Sequence, residues 1–96
     1  MPKAFRLGDI AEGHDLCPPT PAIEGSPTVF VEGKPVVRLG DQCAPHGSKD
    51  HPVHPRSMSA GSGTVFVDGK PATRVGDAVS CGGDAAAGSG TVSFGD

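Results

Sequence analysis

Two histidines and one cysteine stand at matching places in this chain. The tetrapeptide Arg-Leu/Val-Gly-Asp occurs at Arg6–Asp9, Arg38–Asp41 and Arg74–Asp77, and each copy opens a loop. His14 and His46 lie five residues after Asp9 and Asp41, and Cys81 lies four residues after Asp77. Imidazole and thiolate are ligands of tetrahedral zinc, which takes four of them in a structural site. The loop after Asp41 is the longest and holds "HGSKDHPVHP", so His51 or His54 can supply the fourth. His51 is preferred, because five residues back to His46 allow a compact turn around a metal. Cys17 and Cys43 are the rival thiols: Cys43, three residues before His46, could replace His51, and Cys17 reads as buried or incidental. The expected site is therefore His14, His46, His51 and Cys81. A lone loop histidine is usually solvated, and a lone cysteine usually a small buried apolar group. Equivalent placement in a repeat is what favours ligation here. The set suits zinc and admits iron.

Four protein ligands close the coordination sphere, which points to a structural metal and not to an enzyme. A hydrolase would need an open position and a carboxylate base. Glu12, Asp15 and Asp50 are near, but no HExxH spacing accompanies them. The alternatives to a structural role are thus a small zinc-dependent hydrolase and a free-standing zinc-binding adaptor. The adaptor would lose its metal reversibly without collapse of the fold. The repeated Arg and Asp residues themselves read as turn caps and local ion pairs.

These loops hang on a repeat. Ser26–Asp41 and Ser62–Asp77 lie 36 residues apart and are identical at eleven of sixteen positions. The half-motif Gly-Ser-x-Thr-Val occurs three times, at Gly25–Val29, Gly61–Val65 and Gly88–Val92, and so does Arg-x-Gly-Asp. Yet the chain begins with the second half of one unit and ends with the first half of another. If the ends meet, they complete a third unit and close a pseudo-threefold object, whereas an open solenoid would show whole repeats and caps. Within a unit, Val65 and Val67 share one strand face and Phe66 the other, and Asp68-Gly69 is a strong hairpin signal, with Glu32-Gly33 in the same place. Pro35 and Pro71 mark edge strands or bulges, leaving a backbone edge open in each repeat. The expected fold is all-β: a small cone of short strands and turns, with at most one helical turn near Gly83–Gly88.

Composition agrees. With 96 residues, 35% hydrophobic, four Phe and no Trp or Tyr, a single domain spanning 1–96 has little to bury and needs a staple. Three cysteines without a CxxC pair make a disulfide framework a poor choice, so a metal is the better one. A net charge of -3 with no basic run argues against nucleic acid as a partner. No stretch has transmembrane length, and the N-terminus lacks a signal peptide's apolar core.

The segments "GKPVVRLGD" and "GKPATRVGD", with "GSPTVFV" ahead of the first, resemble PAAR-repeat proteins. Pro35-Val36-Val37-Arg38 and Pro71-Ala72-Thr73-Arg74 sit where the family's Pro-Ala-Ala-Arg element sits. Proline and arginine are kept, and the third copy has Ser93 in place of Phe30 and Phe66. The resemblance implies a cone with a metal near its apex. Such proteins cap a trimeric β-helical spike, of the VgrG type in type VI secretion systems or in contractile phage tails. It further implies one copy per trimer, transient contact with a target membrane, and non-covalent cargo effectors at most, since the last strand runs to Asp96 without an effector extension. The expected location is the bacterial cytoplasm, with export as part of the spike and no signal peptide, or a phage virion.

Overall fold

Glu32 and Asp68 both adopt a φ of 54°, and Gly33 and Gly69 follow at 79° and 78°. Two successive positive φ values make the type I′ turn, whose twist matches that of a hairpin. Phe30–Val31 (β3) accordingly pairs antiparallel with Lys34–Pro35 (β4), and Phe66–Val67 (β7) with Lys70–Pro71 (β8). As alternation predicts, Val31 and Val67 are buried while Phe30 and Phe66 are exposed. The computed structural model describes residues 1–13, 18–48, 51–80 and 82–95, the side chains of Ser48 and His51 excepted.

Each Arg-x-Gly-Asp segment is a second kind of turn. The amides of Asp9, Asp41 and Asp77 donate to the carbonyls of Arg6, Arg38 and Arg74. Gly8, Gly40 and Gly76 take φ values of 91°, 90° and 95°, as the third position of a type II turn requires. The aspartate then folds back. Its Oδ2 accepts from the backbone N–H and the Nε of the arginine three residues earlier, and its Oδ1 accepts from Nη2. The expected cap and ion pair are one module, built three times.

Closure is visible in the backbone. The Phe5 amide donates to Thr73 at 3.1 Å, Thr73 to Val37 at 3.0 Å and Val37 to Phe5 at 3.0 Å, a triangle of hydrogen bonds about one axis. In the opposite sense about the same axis, Leu7, Leu39 and Val75 donate to Pro35, Pro71 and Lys3. The chain ends complete the third unit: Ala4 donates to Val92, Phe94 donates to Pro2, and Lys3 bridges Ser93. The proline edges are therefore less open than expected, because the carbonyls of Pro35 and Pro71 are taken by the preceding repeat.

Side chains stack in threes around this axis. Val31, Val67 and Phe94 pack against Ala4, Val36 and Ala72 in one cluster. Phe5 and Val37 join Ala11, Cys43 and Val79, then Ala22, Met58 and Ala85, in a second. Bridges from Ala11 to Ala85, Cys43 to Ala22 and Val79 to Met58 relate the last two layers by the same rotation. The extents of 38 × 24 × 22 Å, with two nearly equal, suit a threefold body elongated along its axis.

Two local expectations change. The middle loop is a hairpin: Gln42–Ser48 (β5) pairs with His51–Ser57 (β6), beside the short pair Ile10–Ala11 (β1) and Thr20–Pro21 (β2). Pro45, Pro52 and Pro55 hid it, and the register shifts around His46 show how the ladder accommodates them. The turn of helix near Gly83–Gly88 does not form. Asp84 and Ala85 bridge to Ala78 and Ala11, and the described residues hold no helix. Repeat symmetry overrides the helix propensity of the alanines.

Candidate functional site

His46 is the expected ligand whose ring the structure describes. It is only 2% exposed, and its Nδ1 lies 3.0 Å from the Pro18 carbonyl. A carbonyl can only accept, so Nδ1 carries the proton and the lone pair falls on Nε2. His14 and Cys81 lie outside the described residues, as do Asp15, Cys17 and Asp50. His51 contributes its backbone, paired with Ser48 in the β5–β6 ladder. His54 is the cross-strand partner of His46, with ring centroids 4.4 Å apart in an edge-on contact. Cys43 instead packs into the core, where burial pushes its thiol pKa up and works against the thiolate a metal needs. Among the described residues no group of three or more metal-ligating side chains is assembled.

The flanks of the ligand-bearing loops do gather. Arg56, on β6, is the largest fully buried side chain. Its Nη1 donates to Thr20 Oγ1 at 2.8 Å and to the Ala11 carbonyl at 3.4 Å. Its Nη2 donates to the carbonyls of Glu12 and Gly82. Glu12 precedes His14 by two residues, Gly82 adjoins Cys81, and Arg56 shares its strand with His54. The described flanks of the three loops that carry the expected ligands thus converge on one side chain, and His and Cys are donor types that suit zinc.

A charged waist joins the repeats. Arg6 Nη1 reaches Glu32 at 2.8 Å and Arg38 Nη1 reaches Asp68 at 3.0 Å, while Arg74 Nη1 meets the Gly95 carbonyl at 3.0 Å. Ser89, Ser26 and Ser62 donate to the same three acceptors, and each serine oxygen accepts from the two amides two and three residues on. Hydrogen bonds from Ser89 and Thr91, helped by the Arg6 charge, hold the Glu32 carboxyl below its usual range; those from Ser26 and Thr28, helped by Arg38, do the same for Asp68. Hydrogen bonding to Asp9 and Asp41 raises Arg6 and Arg38 against the opposing effect of burial. This explains why Glu32, a residue that strongly disfavours φ > 0, sits in a turn. Its carboxylate ties the N-terminal Arg6 to Ser89 and Thr91 of the C-terminal half-repeat.

At the hairpin end, Phe30 and Phe66 are 55% and 57% exposed, and Val29 is partly exposed. Ser93 holds the third equivalent position, and its neighbour Phe94 turns inward onto the cluster of Val31 and Val67.

Comparison with known families matches the PAAR motif over residues 3–49, which covers the split N-terminal half-unit and the first complete repeat motif. No curated protein matches the chain. The matched segment, its second copy at Ser62–Asp77 and the threefold closure are together consistent with a PAAR-repeat protein.

Proposed function

We propose that this chain caps the blunt end of a trimeric β-helical spike of the VgrG type, one copy per trimer, as the piercing tip of a contractile injection machine. The observation that supports this best is the backbone triangle of Phe5, Val37 and Thr73, which gives a single chain three near-equivalent faces. A trimer ends in three identical strands, and only a partner with threefold character can meet all of them at once. The hairpin end offers strand edges for β-augmentation and two exposed phenylalanines as anchors.

At the other end, His14, His46 and Cys81, with His51 or His54 as the fourth, hold one zinc ion. A site with four protein ligands has no open position, so the metal supplies folding free energy and rigidity, with no turnover. The role is mechanical: a stiff point that travels with the spike, enters a membrane when the machine fires, and carries cargo by non-covalent contact.

Mixing the chain with a trimeric spike and weighing the complex by native mass spectrometry tests this. One chain per three spike subunits is expected, with affinity about tenfold or more weaker for Phe30→Ser/Phe66→Ser. Three chains per trimer, no complex, or indifference to both phenylalanines contradicts it.

A further inference from the structure

Counting back five residues from Gly25, Gly61 and Gly88 gives Thr20, Arg56 and Gly83. The structure makes these three positions equivalent. Each lies two residues before Ala22, Met58 or Ala85, whose carbonyls accept from Gly8, Gly40 and Gly76 in turn. They also meet. Arg56 Nη1 bonds Thr20 Oγ1 at 2.8 Å, and a Cβ added at Gly83 would stand 2.9 Å from Arg56 Nη2 and would collide with the Glu12 carbonyl. Close to a threefold axis there is room for one large side chain, and here the three copies read large, medium and none.

We propose that Arg56 is the axial clamp of the apex, one side chain that occupies the axis for all three repeats and positions the loops leading to His14 and Cys81. Its donors reach the first loop through Ala11, Glu12 and Thr20 and the third through Gly82, while its own strand belongs to the second. Among the described residues no carboxylate pairs with it, and its Nε has no hydrogen-bond partner. With no counter-charge among the described residues, this buried cation is held there by the carbonyls it gathers and by the Thr20 hydroxyl. Its placement therefore depends on the two foreign loops staying where they are, and theirs on it. Guanidinium suits the task because its planar fork of donors can serve several acceptors at once, which an ammonium on one point cannot. The clamp acts without metal; only its effect on zinc affinity rests on the proposed cap and its metal.

The decisive experiment moves the arginine to an equivalent position. In chelator, Arg56→Thr is expected to unfold about 10 °C below the wild type, or not to fold. Thr20→Arg alone, which crowds two guanidinium groups on the axis, is also expected to be destabilised. The swap Arg56→Thr/Thr20→Arg should recover at least half of the loss, because an arginine on the axis can serve from either strand. A loss in Arg56→Thr of less than about 3 °C, or a swap no more stable than Arg56→Thr, overturns the clamp. In zinc-loaded protein, zinc binding by Arg56→Thr should weaken by about tenfold to a hundredfold, as for other residues that orient metal ligands. If the wild type takes up no zinc, the metal apex falls, while the comparison in chelator still decides the clamp.

Discussion

At the waist, three arginines do the same job three times; beneath the apex, one arginine does it once for three repeats. Arg6, Arg38 and Arg74 each bond their own Asp9, Asp41 or Asp77 and then reach the neighbouring repeat. Thr20, Arg56 and Gly83 share one space instead. The difference lies in distance from the axis. Away from it, equivalent sites are separate, so each can keep the same side chains and the sequence repeats. On it, equivalent sites coincide, and the sequence must diverge for the structure to stay symmetric. Sequence identity between repeats therefore reports on the waist, and sequence divergence reports on the axis.

The largest effect should come from breaking one waist module. Asp41 is almost fully buried and accepts three hydrogen bonds from Arg38. Asp41→Ala leaves the Arg38 amide, Nε and Nη2 without that acceptor, with the Nη1–Asp68 pair kept, and should cost about 3 kcal/mol in chemical denaturation. A loss below about 1 kcal/mol would mean that the pair behaves as a solvated surface ion pair.

Two glycine substitutions should then separate axis from waist. Gly40 at φ 90° has nothing within 4 Å of an added Cβ, so Gly40→Ala carries only backbone strain, about 1 kcal/mol. Gly83 at φ 87° has the same strain plus a collision with the Glu12 carbonyl and the crowding of Arg56. Gly83→Ala should therefore cost clearly more, about 2–3 kcal/mol. Equal losses would place Gly83 off the axis.

A smaller effect concerns acid. The folded-state pKa values of Glu32 and Asp68 are depressed below their unfolded values, which lie near 4. Their contribution is complete above the unfolded pKa and is lost as pH falls through the folded one. Stability should thus decline below about pH 4, and Glu32→Gln or Asp68→Asn should flatten part of that decline. At the third junction Arg74 Nη1 and Ser62 both meet the uncharged Gly95 carbonyl, so that acceptor adds no titration of its own. An unchanged acid limb in Glu32→Gln/Asp68→Asn would show that the carboxylates do not latch the repeats.

Much of this was legible because a repeated sequence repeats its bonds. The hairpins at Glu32-Gly33 and Asp68-Gly69, the Arg–Asp caps and the closure through Lys3 and Ser93 all follow from residues that recur in register. The β5–β6 hairpin was hidden because its prolines contradict strand propensity, and bulges rather than side-chain pattern accommodate them. Arg56 was hidden for the opposite reason. It looks like a lone charge until Thr20 and Gly83 are set beside it, and nothing in its own neighbourhood marks it as buried. Of the expected ligands, His46 is the one whose ring is described, buried and bonded to the Pro18 carbonyl. His14 and Cys81 remain expectations, since they lie outside the described residues.

Closure of the two half-repeats is the claim on which both ends of the molecule depend, and amide hydrogen exchange at Phe5, Val37 and Thr73 tests it most directly. These three amides form the triangle, but Phe5 belongs to the split repeat and the other two to unbroken ones. If the termini close the ring, the three should be protected within about tenfold of one another, near the global limit. If Phe5 exchanges about a thousandfold faster than Val37 and Thr73, the split repeat opens independently, and the chain does not present a threefold cap.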